Sequence, residues 1–397
     1  MTDLKELCLR LDTLVVFRGL YDTPEFSALR ETLRLAESAK GREAFERYCS
    51  AVPYIYENGG SLTRLVQRLV LEDENFYILR KGEGRSTGPL ADECLANELY
   101  ALEQLACLPF EELSSYFEYD GFIPRYTTEA LDLSQDYALR LKQIDKFGYG
   151  IYSKYHVFVV KEGEIVPVEF PDGVRLSELS GYQREREEVI ANTMALLRGR
   201  PANNVLLYGD CGTGKSSTVK AIANEYRGEG LRLIELKKRQ LHEIPNIVRT
   251  ISRNPLKFIV FIDDLSFTED DDDFAALKAI LEGSVSSTAD NLVIYATSNR
   301  RHLVRETFSA REGDEVHRND TMQELLSLSE RFGLRVVFQK PDKQLYLSVV
   351  RDIAAQYGIQ KPEADLFREA EAYALARGGR SPRAAKQFVE YLKGCGE

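Results

Sequence analysis

The residues best suited to chemistry lie in one stretch, Gly209-Asp210-Cys211-Gly212-Thr213-Gly214-Lys215-Ser216. It fits the pattern GxxxxGK followed by Ser or Thr, and that pattern suits a polyphosphate. Glycines let backbone N–H groups close around phosphate oxygens, and a helix starting directly afterwards adds its dipole. Lys215 would reach the terminal phosphates, the Ser216 hydroxyl would ligate magnesium, and Ser217 would sit at the loop's edge. The expected occupant is a nucleoside triphosphate, ATP, with Mg2+. Cys211 reads either as a small tolerated residue or as a redox-sensitive thiol.

Such a loop needs an acid on a neighbouring strand to hold the metal through water. Phe258–Ile262 followed by Asp263-Asp264 supplies it. Asp263 ends the apolar run and is the expected magnesium partner, and Asp264 would polarise an attacking water. The acidic run Glu269–Asp273 reads as a first helical turn, where the helix dipole favours negative charge. Leu292–Thr297 ends in Ser298-Asn299, placing an amide near the terminal phosphate. Arg331 precedes Leu334–Phe338, and Arg383 falls in the first turn of a helix opened by Ser381-Pro382.

The elements that must position these groups follow from periodicity. Asn204–Tyr208, Leu231–Leu236, Phe258–Ile262, Leu292–Thr297 and Leu334–Phe338 are short apolar runs separated by helical sequence, the signature of a parallel sheet covered on both faces. From Asp342 onward three helices are expected, opened by Asp342, Pro362 and Ser381-Pro382, the first two stopping at Gly358 and Gly378-Gly379. Before about residue 175 the spacing is mostly helical. Leu62, Leu65, Val66, Leu69 and Val70 form one stripe, and Leu95, Leu99, Leu102 and Ala106 another. Tyr155–Val160 and Ile165–Phe170 flank a Gly turn and predict a β-hairpin. The expected division is a mostly helical domain over 1–174 that closes with this hairpin (147–170), an α/β nucleotide-binding core over 175–340, and a helical lid over 341–397.

Bulk properties narrow the classes. The 397 residues carry 52 Lys and Arg against 63 Asp and Glu, a net charge of −11, which argues against a chain that mainly coats nucleic acid. The N-terminus has no uninterrupted apolar core, and no run approaches the ~20 apolar residues that span a bilayer. The six cysteines are scattered without a CxxC pair and read as free thiols, so a reducing cytoplasm is the expected location.

Together these residues resemble the AAA+ ATPases over roughly residues 176–397. On that resemblance the glycine-rich loop is Walker A, Phe258–Asp264 is Walker B, Asn299 is sensor 1, Arg331 is the arginine finger and Arg383 is sensor 2 on the lid. Leu179, Gly181 and Tyr182, in Leu179-Ser180-Gly181-Tyr182, match the segment that cups adenine. The wording PANNVLLYGDCGTGKSS, DDLSF and YATSNRRHL is similar to a bacterial ATP-binding family catalogued as a domain of unknown function. The resemblance implies a P-loop AAA+ core with a five-stranded parallel sheet, and a homo-oligomeric ring, a hexamer, in which Arg331 acts on a neighbour's ATP. Two departures stand out. Asp264 occupies the position where most members have Glu, which predicts slower turnover. Lys237-Lys-Arg-Gln240 lacks the aromatic-hydrophobic-Gly triplet of threading unfoldases, leaving a basic loop that reads as a solvated cluster or a contact to nucleic acid or an acidic partner.

Three functions fit. One is an ATP-hydrolysing machine that remodels or moves a macromolecule, with a protein or nucleic-acid partner held by the N-terminal domain. Another is a slow ATP-dependent switch or loader. The third, a small-molecule kinase, has no need of Asn299, Arg331 and Arg383 together with a helical lid.

Overall fold

A computed structural model describes residues 3–265, 277, 278, 280, 281, 290–299 and 330–395. The chain divides into two compact units, Met1–Lys154 and Tyr155–Glu397. The run Glu269–Asp273 lies outside the described residues.

The first unit is built on helices. Thr23 caps the helix Pro24–Glu37 by accepting the Phe26 N–H, with Pro24 at the first position, where a missing N–H costs nothing. The stripe Leu62, Leu65, Val66, Leu69 and Val70 is buried on the helix Leu62–Glu72, and Leu95, Leu99, Leu102 and Ala106 are buried on Pro89–Ala106. Both stripes pack into one core with Phe17, Phe26, Tyr48 and Tyr137. Glu98 also faces inward and is 6% exposed. Its carboxylate accepts the N–H groups of Val15, Val16 and Phe17 at 2.8–3.1 Å. These are donors of a turn with no helical partner of their own, so the buried charge is fully used on backbone.

The second unit holds a seven-stranded sheet in the order β2-β1-β4-β5-β6-β3-β7. The strands are β1 (Val157–Lys161), β2 (Glu164–Pro167), β3 (Val205–Gly209), β4 (Leu231–Leu236), β5 (Lys257–Ile262), β6 (Leu292–Ser298) and β7 (Leu334–Phe338). All pairings are parallel except β1 with β2. The five expected strands are present, but the sheet is larger than expected. The hairpin does not close the N-terminal domain: β1 pairs with β4, so the boundary falls at 154/155 and not at 174/175. The reason is physical. Val157, Phe158 and Val160 are buried, and the outer edge of β4 offers the unpaired backbone groups they need. Glu162 (φ 52°) and Gly163 (φ 82°) make the two-residue turn with both φ positive that matches strand twist.

Three helices follow the sheet: Lys343–Tyr357, Glu363–Ala376 and Pro382–Gly394. Asp342 and Ser381 cap the first and third by accepting the N–H groups of Leu345 and Ala384. Tyr346, Val350, Ala370, Ala385, Phe388 and Val389 form a separate core for this lid. Among the described residues no helix is long and apolar enough to cross a membrane.

Candidate nucleotide site

Because β3, β5 and β6 run parallel, their C-terminal ends open on one edge of the sheet. In an open α/β sheet, that edge at a topological switch point is where ligands bind. The loop 210–214 follows β3 there, Asp263 follows β5, and Asn299 follows β6. A cleft of about 900 Å³ lies over this edge, lined by the loop, the two acids, Asn299, the segment 177–180 and the lid residues Val349, Ile353 and Arg383.

Two glycines are required by the loop's path. Gly209 has φ 137°, and a Cβ there would lie 2.0 Å from the Phe338 carbonyl oxygen. Gly212 has φ 76°, and its Cβ would sit 3.1 Å from that of Arg383. A side chain at the first would push the loop off β7, and at the second off the lid. Asp210 fastens the loop from its other side. Its N–H donates to the Phe338 carbonyl (3.2 Å) and its carboxylate accepts the Lys340 N–H (2.9 Å). Thr213, buried, donates to the Asp210 carbonyl. Gly214 then opens the helix Lys215–Glu225, whose first turn carries Ser216 and Ser217 to the cleft.

Lys215 is 5% exposed. Its ammonium donates to the carbonyls of Gly209 (3.0 Å) and Asp210 (2.8 Å) and to Asn299 Oδ1 (2.9 Å), one acceptor for each N–H. Burial holds its pKa below the ordinary lysine value, against the pull of Cys211, Asp210, Asp263 and Asp264. The amide of Asn299 also donates to Asp264 Oδ1 at 2.7 Å, so one side chain bridges the lysine and the second acid. Ser216 Oγ donates to Asp263 Oδ1 at 2.6 Å. A hydroxyl and a carboxylate this close, beside a buried ammonium and a loop of N–H groups, form an oxygen donor set suited to Mg2+ held between protein and phosphate.

Arg383 is in the first turn of the third lid helix and lies against the loop. Its N–H donates to the Gly212 carbonyl (3.1 Å), and its guanidinium reaches Cys211 Sγ at 3.6 Å. Of the three residues expected to cup adenine, Leu179 lines the cleft. Gly181 lies under the first lid helix, where a Cβ would meet Val349 at 2.9 Å. The Tyr182 side chain turns away into the core, packing on Phe338 and donating to the Gln339 carbonyl at 2.5 Å. Arg331 is not among the lining residues. It precedes β7, and the pairing Val205↔Leu334 through Gly209↔Phe338 puts the start of β7 at the far edge of the sheet. About 13 Å of strand, at ~3.3 Å per residue, separates that edge from the loop.

Several residues of this site are missed by sequence reasoning. Thr297 sits buried between the two acids. Arg186, Gln356, Tyr357 and Lys386 line the cleft. Asn224, at the far end of the loop helix, donates to the carbonyls of Asp172 (2.7 Å) and Val174 (2.9 Å) and pins the segment that runs into the cleft wall. Only Thr297 had a signal, its place at the end of the apolar run Leu292–Thr297, two residues before Asn299.

This sheet order and loop, with acids from β5, an amide from β6 and a helical lid, define a P-loop protein of the AAA+ superfamily. Residues 153–395 match the family model described as "Protein of unknown function (DUF815)", and the chain belongs to that family. The replication factor C large subunit of Methanococcus vannielii is 22% identical over 169 residues, 41% of this chain and 34% of that protein. The 26S proteasome regulatory subunit 6B homolog of Schizosaccharomyces pombe is 34% identical over 113 residues, 25% of this chain and 29% of that protein. The chain thus spans about a third of the length of these relatives. Among solved structures, the Thermotoga maritima RuvB Holliday junction branch migration motor is 16% identical with a TM-score of 0.39, covering 56% of this chain and 64% of that one.

Proposed function

We propose that this chain binds ATP with Mg2+, hydrolyses it, and uses the cycle as an oligomer to remodel or move a macromolecular partner. The observation that carries the reading is the Ser216–Asp263 pair at 2.6 Å beside a buried, threefold hydrogen-bonded Lys215. In phosphoryl transfer the protein's work is positioning and charge neutralisation. Lys215, the loop N–H groups and Arg383 would bind the phosphates. Mg2+, held by Ser216 and through water by Asp263, would neutralise their charge. Asp264 and Asn299 would orient the attacking water, and Asp264 would accept its proton.

Arg331, at the far edge of the sheet from its own loop, would serve a neighbouring subunit's ATP. The test is a mixing experiment. Arg331→Ala subunits keep the loop lysine but lack the arginine, and Lys215→Ala subunits keep the arginine but lack the loop lysine. Each alone should be inactive, and the mixture should regain phosphate release. A strict monomer, or Arg331→Ala turnover equal to wild type, overturns the role in trans.

A second reading has an observation of its own. All three Lys215 donors and one Asp264 oxygen are already engaged by protein, so the site rests in a satisfied state that the triphosphate must open. That favours a slow switch in which binding does the work and hydrolysis resets it. Turnover of ~10⁻⁴–10⁻² s⁻¹, the range of intrinsic GTPases, supports the switch, and faster turnover the machine.

A further inference from the structure

Thr297 is a residue of this site whose role no motif assigns. It lies one residue before the end of β6, is 2% exposed, and faces the loop that follows β5. Its hydroxyl donates to Asp263 Oδ1 at 2.5 Å and accepts the Asp264 N–H at 2.9 Å. Its carbonyl accepts the Leu265 N–H at 2.7 Å. One threonine therefore ties three successive residues of the acidic turn to β6.

The turn needs such a tie. Asp264 has φ 53°, the left-handed region, which is uncommon for residues other than glycine and held only where the surroundings fix it. Thr297 fixes its backbone and Asn299 its carboxylate. The donors to Asp263 also fall unevenly. Ser216 Oγ, Thr297 Oγ1 and the Asp264 N–H all address Oδ1. Oriented in this way, the carboxylate would have its second oxygen available to metal-bound water.

We propose that Thr297 is a positioning residue for both acids. It aims Asp263 at the metal's water shell and holds Asp264 in the left-handed turn from which its carboxylate meets the attacking water. This rests on the Mg-ATP reading of the cleft and adds a specific dependence to it. A hydroxyl that both donates and accepts is required, so Thr297→Ser should serve and the isosteric Thr297→Val should not. Valine keeps the shape while removing the bond to Asp263 and leaving the Asp264 N–H only its longer contact to Asp263 Oδ1, at 3.2 Å.

The experiment measures binding of a fluorescent ATP analogue as a function of Mg2+, phosphate release, and the melting temperature, for wild type and both variants of the full chain. Thr297→Val is expected to raise the Mg2+ concentration for half-saturation several-fold and to lower kcat at least about tenfold, while its affinity for the analogue in EDTA stays within about twofold of wild type. Thr297→Ser should recover both. If Thr297→Val matches wild type in Mg2+ dependence and kcat, or if Thr297→Ser is as impaired as Thr297→Val, the proposal is overturned. A valine variant that melts early is judged by the serine variant, whose recovery of Mg2+ dependence a packing role would not require. Failure of wild type to bind the analogue at all would instead sink the nucleotide reading itself.

Discussion

Glu98 and Lys215 are both charged side chains about 5% exposed, one in each compact unit, and they do opposite things. Glu98 accepts three N–H groups of a turn that has no other acceptor for them, among apolar residues of a helical core. Lys215 has as many partners, but two are the carbonyls of Gly209 and Asp210 and one is the Asn299 amide, and Lys215 and Asn299 themselves line a cleft of about 900 Å³. The first set cannot be exchanged without unfolding the turn. The second can be traded for phosphate oxygens. Burial of a charge therefore does not by itself mark a functional site; what separates the two is whether a ligand can take the place of the protein's own acceptors.

The comparison can be broken at several points. Lys215→Ala should have the largest effect, lowering ATP affinity and phosphate release by on the order of 10²–10³ while leaving the fold intact, because the three acceptors it would free belong to Gly209, Asp210 and Asn299, none of them buried. Titration with a fluorescent ATP analogue, with circular dichroism as the fold control, checks both halves. Glu98→Ala should do the reverse. Three backbone N–H groups would lose their acceptor, costing about 2–4 kcal/mol in the stability of the first unit. Calorimetry should show that loss, and ATP affinity should stay within about twofold. If Glu98→Ala abolished binding with its melting unchanged, the contrast would be wrong.

Asp264→Glu sharpens the chemistry. The sequence alone reads Asp264 as a shortened glutamate, which predicts that the longer acid would speed turnover. At φ 53° the opposite is expected. Asp is among the residues that tolerate this region, and Glu is not favoured there, so Asp264→Glu should lower kcat several-fold. Steady-state phosphate release decides between the two.

The smallest effect concerns the lid. Glu371 takes a bidentate pair from Arg380 (2.7 and 2.8 Å) and has Lys343 at 3.7 Å. The Arg380 hydrogen bonds, foremost, hold its pKa below the ordinary carboxylate value. A carboxylate depressed in the folded state contributes stability that is present above its unfolded pKa, about 4.3, and is lost as pH falls through the folded one. Acid melting of wild type should therefore include a small loss in that window, and Glu371→Gln should remove it.

Much of the second unit was legible in the sequence because its elements are local. A continuous apolar run, a glycine-rich loop and a capped helix each announce themselves within a few residues. Leu231–Leu236 and Leu334–Phe338 fall as expected, and Asp342 and Ser381 cap the lid helices. What sequence did not reveal is pairing at long range. That β1 would join β4 depends on which edge is open, and that Thr297 would hold both acids depends on the register of β6 beside β5. Tyr182 shows the same limit, since its neighbourhood in sequence is that of the cleft while its ring packs on Phe338. In the first unit the helical stripes were readable but Glu98 was not, because its partners lie more than eighty residues away.

The central claim is that this cleft binds ATP by exchange of the protein's own acceptors and then cuts it. It is tested most directly by following radiolabelled ATP on the purified full chain and on Asp264→Asn, with Mg2+ and with EDTA. The account predicts Mg2+-dependent release of phosphate to water by the wild type, and retention of bound, uncut ATP by Asp264→Asn. Binding to neither protein, or phosphate release by Asp264→Asn at the wild-type rate, would contradict it.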